Sequence, residues 1–156
     1  MGQVNSTTIT SGTVVNADIA NGAGVSASKL EHHHILVADW GYADTDGTIA
    51  TEEQTIFIAS GAGSIREVKV WHVDAGTNTD IDYDLLVKPS GSSSATVLTG
   101  DINLVHGTGN QVAVTGTIAS GTLSAGDAII AKIKTVTQNT DTTGPRMQIT
   151  MDSAYV

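Results

Sequence analysis

Reactive side chains concentrate between residues 26 and 34 of the sequence. Ser26 and Lys29 have the S-x-x-K spacing of some nucleophilic serines. Enzymes with that spacing also carry S-D-N and K-T-G sequences; this chain has no S-D-N, and the tripeptide at Lys134 lacks the glycine. No other Ser, His and acidic residues have the spacing of a nucleophile, its base and an orienting group. We therefore expect no catalytic residue, no cofactor and no enzymatic activity.

Three consecutive histidines, His32, His33 and His34, raise the question of a metal site. Neighbours in an extended chain point in alternating directions, so three consecutive residues rarely bind one ion. We therefore expect no metal site within a single chain. The histidines could form a polar hinge, bonded to the backbone. Alternatively, one histidine from each chain of a homotrimer could meet at the axis as a ring of three imidazoles.

Two acidic groups could in principle hold calcium. The stretch 44–47 begins like a calcium loop but lacks the later glycine and bidentate glutamate, so we expect a turn there. Asp80, Asp82 and Asp84 alternate along an apolar run and should share one strand face. Stacked carboxylates repel, so they should be solvated or matched to a cation such as Lys69. A weak calcium site is the alternative.

The composition excludes several classes of partner. The net charge is −9, and the seven Lys and Arg residues are scattered. Nucleic acid requires clustered cations that replace its condensed counterions, so neither nucleic acid nor an anionic membrane is an expected partner. The absence of cysteine excludes disulfides and thiol catalysis. No apolar run approaches the roughly 20 residues of a membrane-spanning helix.

From Ile35 onward the sequence has the pattern of β-strands. The run DIDYDLLVK, which begins at Asp80, alternates apolar and polar residues, and the run SIREVKVWHV places Val68, Val70 and His72 on one face. Turn signals rich in Gly, Asp, Asn and Pro separate about eight such segments. Thr, Val, Ile and Gly dominate, which favours strands and turns. The pattern predicts an all-β sandwich or barrel.

Residues 1–34 have a different character. They include no aromatic residue, and their isolated apolar residues recur about every five positions, which fits neither helix nor strand. Such a segment cannot build its own core, but its small apolar residues could lie in grooves of another surface. Ser28 and Glu31 form an S-x-x-E capping box, which predicts a short helical turn near 28–33. The predicted partner contacts are Ile9, Val14, Val15, Ile19, Val25 and Leu30.

Aromatic residues make up only 4% of the chain. Trp40, Trp71 and Tyr83 are the first candidates for stacking on a sugar ring. Side chains of this kind more often anchor a core, which is the competing interpretation.

Two stretches resemble structural proteins of tailed phages. VVNADIANGAGVSASKL resembles a short element near the N-termini of head fibres, decoration proteins and tail fibres. Its matching positions are Asp18, Ile19, Gly22, Ala23, Val25, Ser28, Lys29 and Leu30. GTLSAGDAIIAKIKTV followed by GPRMQITMDSAYV resembles the last strands of small jelly rolls in the same proteins, where a T-L-x-A-G-D turn opens the penultimate strand. The matching positions of that turn are Thr122, Leu123, Ala125, Gly126 and Asp127.

The resemblance implies a capsid decoration (cement or head-fibre) protein. Residues 1–34 would be an extended capsid-binding arm, and residues 35–156 a jelly-roll-like β-sandwich of about eight strands. The implied partner is the major capsid protein, the implied location is the capsid surface of a virion, and the implied assembly is a homotrimer. The alternative is the tip module of a head or tail fibre that binds host glycans.

Overall fold

The computed structural model describes residues 32–41, 51–76, 80–137 and 142–153. Within these residues the chain forms ten strands and a single 3₁₀ turn at His106–Thr108. The strands are β1 (His32–Asp39), β2 (Glu52–Ile58), β3 (Gly63–Asp74), β4 (Asp80–Lys88), β5 (Thr96–Val97), β6 (Ile102–Leu104), β7 (Val114–Gly116), β8 (Thr122–Leu123), β9 (Ala128–Thr137) and β10 (Thr143–Ser153). No described residue belongs to a helix long and apolar enough to cross a membrane.

The strands form two five-stranded antiparallel sheets. Sheet A has the order β1-β10-β3-β7, with β8 also paired to β3; sheet B has the order β2-β9-β4-β5, with β6 also paired to β4. Since β5 and β6 lie end to end along β4, and β7 and β8 along β3, each pair acts as one interrupted strand. The described part of the chain thus has eight strand positions in jelly-roll order. This confirms the predicted all-β, jelly-roll-like sandwich; the predicted arm lies outside the described residues.

The core follows the period of two that was visible in the sequence. On β4, the inward residues Ile81, Tyr83 and Leu85 are fully buried, and on β3 so are Val68 and Val70. Successive residues of a strand point to opposite faces, so each sheet supplies one apolar inner face. Full burial of each such side chain contributes about 1.5–3 kcal/mol.

The turn that opens β9 connects three parts of the sandwich. Asp127 is only 8% exposed, and its carboxylate accepts hydrogen bonds from the backbone N–H groups of Ser90 (3.1 Å) and Ser124 (2.9 Å). Ala59, just after β2, donates to the Asp127 carbonyl (2.8 Å) and accepts from the Gly126 N–H (2.7 Å). Gly126 has φ +86°, which favours glycine. A turn therefore opens the penultimate strand, as the T-L-x-A-G-D sequence predicts.

One side of the sandwich is closed by hydrogen bonds between the sheets. In the interruption between β5 and β6, Thr99 forms a bridge with Ile118, which lies in the interruption between β7 and β8. The Ala119 N–H donates to the carbonyl of Leu98 at 2.8 Å. The interruptions therefore tie sheet A to sheet B along this side.

Two local predictions are wrong. Strand β1 begins at His32, three residues before the predicted start at Ile35. His32–His34 pair with Ser153–Met151 of β10, so they belong to a strand and not to a hinge. The helical turn predicted near 28–33 therefore cannot include residues 32 and 33. The sequence Thr-Gly-Pro at 143–145 is one of the Gly- and Pro-rich signals from which turns between strands were predicted, but it opens β10, because pairing with β3 outweighs the local signal.

Candidate functional site

The predicted partner contacts Ile9, Val14, Val15, Ile19, Val25 and Leu30 all lie outside the described residues. The structure does describe the point at which that segment joins the sandwich, which is strand β1. This strand pairs with β10 along all eight of its residues without a shift in register, and no described residue pairs with its other side. We call this side of His32–Asp39, opposite the side that pairs with β10, the β1 edge.

The hydrogen-bond pattern shows which residues of β1 face the open side. The Trp40 N–H donates to the carbonyl of Pro145 at 3.3 Å, just beyond the last residue of β1. Antiparallel pairs alternate between bonded and non-bonded, so the even-numbered residues of β1 bond to β10. The odd-numbered residues at 33, 35, 37 and 39 therefore direct their backbone N–H and C=O groups toward the β1 edge. On the outer face, Ile35 is 65% exposed and Val37 is 50% exposed.

Ion pairs flank the apolar centre of the β1 edge, which is formed by Ile35 and Val37. At one end, Arg146 of β10 contacts Asp39 at 2.9 Å. Near the other end, Arg66 of β3 pairs with Asp152 of β10. The charges beside the β1 edge are thus compensated within the chain. This leaves an apolar surface along a line of backbone groups with which no described strand pairs.

The other described sheet edges carry features that discourage strand pairing. Strand β2 begins with Glu52 and Glu53 and is bulged between Thr55 and Phe57. The edges made by β5 with β6 and by β7 with β8 are interrupted and bonded to each other. Charges, bulges and short strands are the usual protection of an edge. Among the described edges, β1 alone lacks a bulge or interruption and has apolar side chains at its centre.

The three aromatic residues considered for sugar stacking lie in different environments. Tyr83 is fully buried, and its hydroxyl lies 3.2 Å from Nε2 of His72, so the predicted glycan contact is wrong for this residue. Trp40 packs against the core, with its ring centroid 5.7 Å from that of Tyr83. Trp71 is half-buried on the outer face of sheet A, opposite Arg146 in register. The three residues therefore form no common platform.

His72 and Tyr83 form a buried polar pair that sequence reasoning did not identify. Burial lowers the pKa of His72 from 6.5 to about 4 and raises the pKa of Tyr83 above its usual range. Nδ1 of His72 has no hydrogen-bond partner among the described residues. The available signal was the position of His72 on the apolar face of an alternating strand. The pair is enclosed by the core, so its effect is on stability and its dependence on pH.

The carboxylates of β4 share the outer face of sheet B, as predicted, but their partners differ from the prediction. Lys69, the suggested cation, lies in sheet A and contacts Glu67 at 2.9 Å. Asp84 is 5% exposed, and burial raises the pKa of its carboxyl, while the charge of Lys134 acts in the opposite direction. Lys134 itself forms an ion pair with Asp101.

The two other carboxylates of β4 are held by neighbours at the sheet edge. Asn103 donates to Asp82 at 2.6 Å. The backbone N–H of His106 donates to Asp80 at 3.0 Å, and this bond is the main cause that lowers the pKa of Asp80. No group of three or more His, Asp and Glu residues in the described part of the chain is arranged to hold a metal ion. Two of the β4 carboxylates thus accept hydrogen bonds at the sheet edge, and the third, Asp84, lies in the field of Lys134.

Comparison with known proteins adds no assignment. The chain matches no protein-family model, and no curated protein matches it significantly. A functional proposal must therefore depend on the residues and their geometry.

Proposed function

We propose that this protein is a structural component of a tailed-phage virion. Its N-terminal arm, residues 1–34 in the sequence prediction, would bind the outer surface of the capsid, and the protein would stabilise the shell by bridging neighbouring subunits of the major capsid protein. The proposal assigns no enzymatic activity and no cofactor. The sequence resemblance implies a homotrimer for such a protein.

The observation that carries the proposal is the place where the N-terminal segment joins the sandwich. Residue 31 is followed directly by β1, which is an outermost strand of sheet A. A chain that enters through an outermost strand can extend to another surface without disturbing the core. Jelly rolls occur in viral capsid proteins and in lectins, but a fold alone does not assign a function. The phage-like sequence elements at 14–30 and 121–136 therefore supply the second support.

The proposal predicts that residues 1–30 are required for capsid binding and not for folding. A variant without them should fold and should no longer decorate capsids, measured by co-sedimentation with particles that lack the protein. In the full chain, Val15→Asp should weaken capsid binding because it places a charge among the predicted apolar contacts. Val112→Asp is a matched control, since Val112 is 49% exposed on the sandwich. Full occupancy of the capsid by the truncated protein would contradict the proposal.

The glycan-binding alternative now depends mainly on Trp71. Tyr83 is buried, and Trp40 packs against the core. A glycan array measured with the full chain and with Trp71→Ala separates the two functions. Specific binding that the substitution abolishes would favour a fibre-tip module over a decoration protein.

A further inference from the structure

We propose that the β1 edge is a contact between two copies of this chain. Strand β1 of one copy would pair antiparallel with β1 of a second copy about a two-fold axis, so that sheet A continues through both. This inference concerns the sandwich itself and does not depend on the proposed capsid function.

The backbone of β1 is suited to such a contact. Residues 33, 35, 37 and 39 present N–H and C=O groups that β10 does not use, since β10 bonds to the even-numbered residues. In an antiparallel ladder, two bonded residues exchange two hydrogen bonds. A two-fold contact uses the same surface on both copies. Two β1 strands paired antiparallel meet this requirement, because each strand offers the same N–H and C=O groups to the other.

The side chains select one register. Opposite residues of an antiparallel pair point to the same face, which limits the options to registers that differ by two residues. Placing Leu36 opposite itself puts Ile35 opposite Val37 twice, which joins four exposed apolar side chains into one cluster. A register shifted one way places Ile35 opposite Asp39, and a register shifted the other way places Val37 opposite a histidine position. The register centred on Leu36 therefore pairs apolar residues with each other.

The surrounding charges favour a second copy as the occupant. In the register centred on Leu36, Asp39 falls opposite the position of a histidine, and its carboxylate is already compensated by Arg146 at 2.9 Å. No two acidic positions of β1 face each other. Each copy has a net charge of −9, which repels at longer range, so added salt should strengthen the association. The apolar centre and the compensated ends thus match a copy of themselves.

The first test measures the mass of the full chain by sedimentation equilibrium. We expect a dimer that becomes stronger with salt, and Val37→Lys should weaken it at least about tenfold because the contact contains the substitution twice. Val97→Lys is the matched control: it changes the same residue type on another edge strand, at 48% exposure compared with 50% for Val37. Val97→Lys should leave the dimer unchanged.

Two further variants separate the contact from folding. Val37→Pro removes a backbone N–H that faces the β1 edge and leaves the bonds to β10, so the protein should keep its thermal stability and lose the dimer. Leu36→Cys places one cysteine at the two-fold axis, in a non-bonded pair where side chains lie closest. The natural chain has no cysteine. Mild oxidation should therefore link Leu36→Cys into a disulfide dimer, and Val97→Cys should stay unlinked.

Several outcomes would overturn the inference. They are a monomer at every concentration and salt, a trimer, a dimer that the Val37 variants leave intact, and equal sensitivity to Val37→Lys and Val97→Lys. A trimer would reject the two-fold contact and agree with the homotrimer that the resemblance implies, since the two assemblies exclude each other. Capsid binding is tested separately through Val15→Asp, and its loss in that variant has no bearing on the dimer.

Discussion

Acid should destabilise this protein through His72. The side chain is 1% exposed, and burial lowers its pKa from 6.5 to about 4. In the unfolded chain, His72 binds a proton below about pH 6.5. The unfolded state therefore holds more protons between pH 6.5 and 4, and the free energy of unfolding falls as the pH falls through this range. Since one pKa unit corresponds to about 1.4 kcal/mol, the loss is about 3 kcal/mol by pH 4.

The assay is urea unfolding of the full chain at a series of pH values, compared with His72→Gln. Glutamine cannot titrate, and its amide can still bond to the Tyr83 hydroxyl. The variant should be less stable near neutral pH because the ring no longer fills its site, but it should lose about 3 kcal/mol less on acidification.

Carboxylates with shifted pKa values, among them Asp80 and Asp84, also change the stability toward the acid end of this range, and the comparison removes their effects. Because the pKa of Asp80 is lowered, its carboxylate stabilises the folded state, and this contribution is lost as acid protonates the group. Because the pKa of Asp84 is raised, its buried charge destabilises the folded state, and protonation by acid removes that cost. Both residues are present in the wild type and in His72→Gln. Equal pH dependence in the two proteins would refute the reasoning, as would an NMR titration of His72 near pH 6.5.

Three other substitutions test residues of the sandwich by urea unfolding, and a fourth, Glu67→Ala, is the control for the first of them. Asp127→Ala removes the acceptor of two backbone N–H groups and should cost about 3 kcal/mol, whereas Glu67→Ala, in an exposed ion pair, should cost less than about 1 kcal/mol. Tyr83→Phe should cost about 1 kcal/mol, because it leaves Nε2 of His72 without its partner. Gly126→Ala should cost about 1 kcal/mol or more, because the residue has φ +86° and a Cβ would lie 2.7 Å from the nearest side-chain oxygen. Losses below about 0.5 kcal/mol in these three would contradict the assigned roles.

The inner faces of the sandwich could be predicted from the sequence because strand periodicity is local. The alternation along 80–88 correctly placed Ile81, Tyr83, Leu85 and Val87 in the core. The turn before β9 was expected from its resemblance to a T-L-x-A-G-D turn, and its Gly-Asp sequence is a local turn signal; its bonds to Ser90 and Ala59, far away in the sequence, could not be predicted. Turn chemistry and side-chain alternation depend on neighbours in the sequence.

Features that depend on distant partners could not be predicted. His32–His34 become strand residues because β10, more than a hundred positions later, extends to Ser153. The cation beside Asp84 is Lys134 and not Lys69, because strand order decides which sheet each residue joins. The glycan interpretation of Tyr83 was wrong because residue type does not distinguish a core aromatic side chain from a binding one.

The two sides of the sandwich differ in their capacity to bind another chain. On one side, the strands are interrupted into runs of two or three residues and joined by the Thr99–Ile118 bridge, so they offer no long unbroken line of backbone groups to a partner. On the other side, β1 keeps eight residues in unbroken register with β10 and exposes Ile35 and Val37. The N-terminal segment joins the sandwich on this same side. Both proposed contacts, the one with a capsid and the one with a second copy, therefore start from β1, which makes this strand the first place to substitute.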